Sequence, residues 1–174
     1  IVGGRLFGTA TDAMDYSVEL AREFGTFHGN GLEQDMKGMM LDARLTLKQW
    51  ADRPMAPVLG LEYTYLSGDD NDGDDDFEGW HPALAEYPIW REELMALKVF
   101  GNWSNLHQAR AALNLALNAK TSLQVAGASM YSDKDDPAIV NGVTADGNHI
   151  GETLSAFLDY AVNPNMKVSL QACQ

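Results

Sequence analysis

Residues 105–118 read NLHQARAALNLALN, and this stretch decides the fold because its apolar and polar side chains alternate. The apolar set is Ala109, Ala111, Leu113, Leu115 and Leu117, and the opposing polar set is Gln108, Arg110, Asn114 and Asn118. A β-strand turns successive side chains to opposite faces, whereas a helix would scatter both sets around its axis. The stretch therefore predicts a strand with one apolar and one polar face.

The same alternation recurs along the whole chain. The predicted strands cover residues 1–8, 14–24, 36–48, 57–67, 105–118, 121–132, 149–162 and 166–172. In residues 36–48, for example, leucine and methionine side chains oppose Asp42, Arg44 and Lys48. We therefore expect an all-β protein with eight antiparallel strands.

The hydropathy of the chain excludes membrane helices and leaves membrane strands open. A membrane helix needs about 20 consecutive apolar residues, and even the apolar residues 111–117 are interrupted by Asn114. A membrane strand needs only about 10 residues of alternating character. The mean hydropathy of −0.24 is therefore compatible with strands that cross a bilayer.

The connections between the predicted strands alternate in length. Short ones lie at residues 9–13, 51–56, 119–120 and 163–164, and long ones at 25–35, 68–104 and 133–148. This asymmetry is typical of a transmembrane antiparallel up-and-down β-barrel of the bacterial outer membrane, with short periplasmic turns and long extracellular loops. Tyrosines at the strand ends, namely Tyr63, Tyr65, Tyr131 and Tyr160, suit the aromatic girdle of such a barrel.

Residues 92–103 are the one ambiguous segment, because they also alternate. A further crossing there would move the short turn at 119–120 to the side of the long loops. We therefore assign residues 92–103 to a long acidic extracellular loop, 68–104, within a single β-barrel domain that covers residues 1–174.

Two other classes of protein share this alternation. In a soluble antiparallel β-barrel or sandwich that binds a ligand, Leu113, Leu115 and Leu117 would face a dry core and the charges would face water. A structural outer-membrane barrel with a plugged lumen would show the same strands as an open pore. Six of the eight predicted strands have 11 to 14 residues, and this length together with the alternately short and long connections favours the membrane.

Composition and motifs exclude several functions. A net charge of −13, from 25 acidic and 12 basic residues, is unsuited to nucleic acid, which needs clustered Lys and Arg. No nucleophile and base can be singled out, and there is no GxSxG motif or phosphate-binding loop. Cys173 is the single cysteine, and the four histidines lack metal-binding spacing. We therefore expect neither an enzyme nor a disulfide.

Charged residues on the polar faces are the candidates for lining a pore. We select Asp42, Arg44, Lys48, Glu62, Arg110 and Lys167, because Arg or Lys facing lipid at mid-membrane would cost about 2 to 4 kcal/mol. Inward positions carry Arg5, Arg44, Lys48, Arg110 and Lys167 against Asp15, Glu19, Glu23, Asp42, Glu62 and Asp159. These residues would set the ion preference of the pore, and Arg110→Glu is expected to shift selectivity toward cations while barely affecting assembly.

The acidic run at residues 69–76 is the one candidate metal site. Asp69, Asp70, Asp72 and Asp74 offer the hard oxygen ligands that calcium prefers. The run does not match an EF-hand, because Gly68 and Gly79 occupy the positions of two required carboxylates. A solvated acidic loop is the simpler interpretation, with calcium binding and bridging to lipopolysaccharide as the alternative; no other cofactor is expected.

Several motifs resemble the alginate-export porin family. Residues 59–70, LGLEYTYLSGDD, are similar to its strand-to-loop signature, and residues 101–107, GNWSNLH, precede a strand in the same way. Residues 149–154, HIGETL, followed by 159–165, DYAVNPN, look like its penultimate hairpin. The resemblance spans most of residues 36–172.

This resemblance implies an outer-membrane barrel of Gram-negative bacteria with more strands than these eight. It implies partners in the lipid bilayer and lipopolysaccharide, and the passage of an anionic polysaccharide such as alginate or of small polar solutes. A dedicated alginate pore should carry excess Arg and Lys in its lumen, whereas the inward positions here are nearly balanced. Ile1 already reads as mid-strand and Gln174 is not the aromatic residue that ends such barrels, so further strands are expected.

Overall fold

The chain forms eleven strands in a computed structural model that describes residues 1–29, 32–70, 74–81, 104–134 and 148–174. The strands are β1 (Val2–Thr11), β2 (Met14–Arg22), β3 (Thr26–Gly29), β4 (Leu32–Met36), β5 (Met39–Leu47), β6 (Val58–Leu66), β7 (Asp76–Phe77), β8 (Leu106–Asn118), β9 (Thr121–Tyr131), β10 (His149–Asn163) and β11 (Met166–Cys173). No helix among these residues is long and apolar enough to cross a membrane.

Eight of the strands form one antiparallel sheet in the order β1-β2-β5-β6-β8-β9-β10-β11. They are the eight strands that the alternation predicts, and each pairs with its neighbours in sequence. The topology is therefore the predicted up-and-down meander. It brings the short connections to one end of the sheet, the short-connection end, and the long ones to the other, the long-connection end.

The long connections contain a second, smaller sheet that the sequence analysis did not predict. In it, β3 and β4 form an antiparallel hairpin and β7 pairs with β4 in parallel. These strands have only 4, 5 and 2 residues, too few for an alternation to show. The assignment of residues 92–103 to a loop lies outside the described residues.

The two faces of the large sheet differ in burial. On the face with the polar sets, here called the polar face, Ala112 and Ala126 are 3% and 2% exposed. On the opposite, apolar face, Leu113 and Val125 are each 38% exposed. Side chains on the inner side of a curved sheet lie closer together than those on its outer side. The difference in burial therefore indicates that the sheet curves toward its polar face. Phe157, 1% exposed, is the most deeply buried large side chain of the polar face.

Candidate functional site

The structure places all six candidate lining residues on the polar face. Four of them, Asp42, Arg44, Glu62 and Arg110, form one cluster across β5, β6 and β8, because Glu62 lies directly opposite Arg44 on one side and Arg110 on the other. Lys48 follows β5 and Lys167 lies on β11, each apart from this cluster. The register of neighbouring strands, which the sequence does not give, is what brings the four together.

Short contacts join the members of the cluster. Arg110 Nη1 donates to Glu62 Oε2 at 3.1 Å, and Arg44 Nε lies 2.7 Å from Asp42 Oδ1. Thr64 donates its hydroxyl to the other oxygen of Asp42 at 3.0 Å. The side chains of Arg110 and Glu62 are only 6% and 21% exposed, so their charges need each other: a buried charge without a partner is costly.

Every basic residue of the polar face has a carboxylate partner. Besides the cluster, the ion pairs are Arg5 with Glu19, Lys48 with Asp15, and Lys167 with Asp159. Glu23, expected on this face as a sixth acid, lies beyond the end of β2. The polar face is therefore close to neutral, and the net charge of −13 comes from residues outside it.

The apolar face of the large sheet is open among the described residues. Leu113 and Leu117 are 38% and 41% exposed, and Leu154 and Leu170 on the same face are 60% and 65% exposed. A soluble fold would have to bury these leucines in a dry core. Soluble proteins rarely expose an apolar surface of this extent without a partner or a membrane against it.

Comparison with known proteins agrees with this arrangement of a polar and an apolar face. The sequence model of the family described as "Alginate export" matches residues 1–174, the whole chain. The chain belongs to the alginate export family. No curated protein matches the chain.

Membership in the alginate export family confirms the resemblance drawn from the sequence motifs. It supports, in broad terms, an export porin of the outer membrane, a transporter and not an enzyme. The strands and their order fit this class, since barrels of this kind are antiparallel meanders.

Aromatic side chains line up at the long-connection end of the apolar face. Tyr65, His107, Tyr131 and His149 are successive cross-strand neighbours on β6, β8, β9 and β10. The rings of Tyr65 and His107 are 4.8 Å apart between centroids, and those of Tyr131 and His149 are 4.9 Å apart. The sequence predicted the tyrosines of this row, and two of the four histidines complete it.

Asp133 anchors this aromatic row to the loop that follows β9. His107 is hydrogen-bonded to Tyr63 through Nδ1 at 2.7 Å and to Asp133 through Nε2 at 3.2 Å. Tyr65 donates its hydroxyl to Asp133 at 3.3 Å, and the backbone N–H of Gly68 donates to the same carboxylate at 3.0 Å. These hydrogen bonds fix the row on the side of the loop. This is expected of side chains that combine an apolar ring with a polar group.

At the same end of the sheet, an apolar cluster interrupts the polar face. Leu66, Leu106 and Met130 are each 5% exposed or less, and Trp80 packs on them at 4% exposure. Trp80 comes from residues 74–81, here called the covering segment, which lies between β6 and β8. The sequence analysis missed this cluster, because it treated all of residues 68–104 as a solvated loop.

Glu23, directly after β2, is hydrogen-bonded to His81, the last residue of the covering segment. Glu23 is 4% exposed, and its carboxylate accepts a hydrogen bond from the backbone N–H of His81 at 3.1 Å. Burial raises the pKa of this carboxyl group, and the His81 contact offsets part of the effect. A Cβ atom on Gly38 would collide with this carboxylate and with the carbonyl of Gly79, so only glycine fits there.

Among the described residues, two of the four predicted calcium ligands, Asp69 and Asp70, lie close together. Carboxylates of Asp69, Asp70 and Glu78 lie within 4.8 Å of one another, whereas Asp72 lies outside the described residues. Asp74 instead accepts a hydrogen bond from the backbone of Asp76. The negative charge of Asp70 raises the pKa of Glu78, and Lys134 lies 3.7 Å from Asp70. Calcium binding here stays a prediction, with Glu78 as a ligand that the sequence analysis did not name.

Proposed function

We propose that this chain forms part of the wall of an outer-membrane pore, with its polar face toward a water-filled lumen and its apolar face toward lipid. The observation that carries the proposal is the contrast between the two faces: the leucines of the apolar face are exposed, and the charges of the polar face are paired. In lipid every backbone polar group needs a partner, and paired antiparallel strands supply it.

The dimensions of the apolar face support this orientation. On β9 it extends from Thr121 to Tyr131, which corresponds to about 33 Å along the strand at about 3.3 Å per residue. A strand tilt of 35–45° reduces this to a height of about 25 Å, the height of the apolar band of an outer-membrane barrel. The tyrosine and histidine row then lies at the lipopolysaccharide side, and Tyr160 near the short-connection end lies at the periplasmic side.

For the solute we propose polar molecules, with an anionic polysaccharide such as alginate as the candidate that the family suggests. The cations of the polar face are held by carboxylates of the same face, so this part of the wall offers a polyanion little net positive charge. Asp42, Arg44, Lys48, Glu62, Arg110 and Lys167 are the residues that would contact the passing solute.

Single-channel recording of the complete protein in a planar bilayer tests the proposal. We expect stable conductance steps, and block by alginate oligosaccharides but not by neutral maltooligosaccharides of equal length. Steps without selective block would leave a general porin and remove alginate as the solute. Insertion without any steps would indicate a plugged lumen, and protein that stays soluble without detergent would contradict the membrane orientation.

A further inference from the structure

We propose that the covering segment narrows the lumen at the long-connection end, and that Trp80, buried against the polar face, is the positioning residue that holds the segment there. This inference rests on the proposed function, since it requires the polar face to line the lumen. It adds a residue that neither the family membership nor the sequence motifs assign.

The first argument is an apolar row on a face that is otherwise polar. Ala21, Met40, Leu66 and Leu106 are cross-strand partners in one continuous row of β2, β5, β6 and β8. All four lie on the polar face near the long-connection end. An apolar row would gain nothing from facing a water-filled lumen, but Trp80 lies against it and removes it from water.

The second argument is the way the covering segment is attached. Its backbone is hydrogen-bonded to the large sheet through Trp80 N–H and the carbonyl of Ser67, and through the Ser67 hydroxyl and the carbonyl of Glu78. It also contributes β7 to the small sheet, and Lys37, directly after β4, donates its N–H to the carbonyl of Phe77 and pairs its ammonium with Asp76. Contacts on two sheets fix the position of Trp80, which a solvated loop would not do.

The third argument is the burial of the polar side chains next to this row. Thr64 and Gln108, one register step toward the short-connection end, are 7% and 6% exposed. Arg110, in the step after that, has a side chain only 6% exposed. Charged groups that line a wide lumen would be more open to water. Their burial fits a narrow passage at this level, with Trp80 on the loop side and the Arg44, Glu62 and Arg110 row below it.

The test compares Trp80→Ala with Trp50→Ala in the complete protein, by single-channel conductance. Trp50 lies in the short connection after β5, is 40% exposed, and serves as the matched control. We expect a larger conductance for Trp80→Ala and the wild-type value for Trp50→Ala. Equal conductance of the two variants would overturn the constriction while leaving the pore itself established by the wild-type steps.

A second variant covers the case in which Trp80→Ala does not insert. Trp80→Leu retains an apolar contact with Leu66 and Met130 but occupies less volume, so a conductance above wild type is again expected. His81→Cys in a Cys173→Ser background adds a direct probe, because residue 81 of the covering segment is exposed beside the buried Trp80: a charged methanethiosulfonate reagent should reduce its conductance. Unchanged conductance after modification, with Trp50→Cys treated in parallel, would place the covering segment away from the passage and contradict the proposal.

Discussion

Replacing Val125 by arginine tests whether the apolar face contacts lipid. Val125 lies near the middle of β9, between Leu113 and Ala156 on the neighbouring strands, and is 38% exposed. An arginine on the lipid side at mid-membrane costs about 2–4 kcal/mol, whereas an exposed substitution in water stays within about 0.5 kcal/mol. Since about 1.4 kcal/mol is a tenfold change, Val125→Arg should lower the folding equilibrium constant in vesicles about 30-fold to 700-fold.

The assay is urea-dependent folding of the complete protein into lipid vesicles, followed by its heat-modifiable migration on a gel. Thr121→Arg is the matched control, on the same strand and face but about 13 Å nearer the short-connection end at about 3.3 Å per residue. There the cost of arginine falls to about 0–1 kcal/mol. Equal, small effects of the two substitutions would refute the reasoning, because the cost must depend on depth in the membrane.

Three further predictions concern the charged and polar contacts. Glu62→Gln removes the carboxylate between Arg44 and Arg110, so the reversal potential in a salt gradient should shift toward anions; an unchanged potential would place the cluster outside the ion path. Burial raises the pKa of Glu23, so its contribution to stability is fully present below the ordinary pKa of a glutamate and is lost as the pH rises through the raised value. Glu23→Gln should remove this part of the pH dependence of the urea midpoint, and parallel profiles for variant and wild type would argue against it. Asp133→Ala removes the acceptor of Tyr65, Gly68 and His107 and should cost about 1–3 kcal/mol of stability; a wild-type urea midpoint would show that these bonds are exchanged for water without loss.

The large sheet was predictable from the sequence because each of its strands is long enough to repeat its alternation several times. β8, with 13 residues, shows five apolar side chains on one face and the polar set on the other. The small sheet was not predictable, since a strand as short as Asp76–Phe77 carries no period. Its pairing depends on contacts between residues far apart in the chain.

The sequence predicted which charged residues share a face of the sheet, but it did not predict the contacts between them. Alternation assigned Arg44, Glu62 and Arg110 to one face, whereas their adjacency follows from the register between β5, β6 and β8. The expectation that Arg110→Glu barely affects assembly therefore needs revision. A second carboxylate would replace the partner that Glu62 has at 3.1 Å, in a position only 6% exposed.

Trp80 shows a different limit of prediction from the sequence. Trp80 follows an acidic run, and the local composition is typical of a solvated loop. Its burial depends on the apolar row that includes Met40 and Leu66, which lies on the face assigned to polar residues. A tryptophan in an otherwise acidic loop, together with leucine and methionine at inward strand ends, was the available signal.

The orientation of the two faces is tested most directly by spin labels placed one at a time along β9, from residue 121 to residue 131, in the complete protein reconstituted in vesicles. The account predicts that oxygen, which concentrates in lipid, relaxes labels at odd-numbered positions near mid-strand, and that a water-soluble nickel complex relaxes labels at the even-numbered positions open to the lumen. Odd-numbered positions protected from both reagents would mean a dry core and contradict the account, as would odd-numbered positions reached only by the nickel complex.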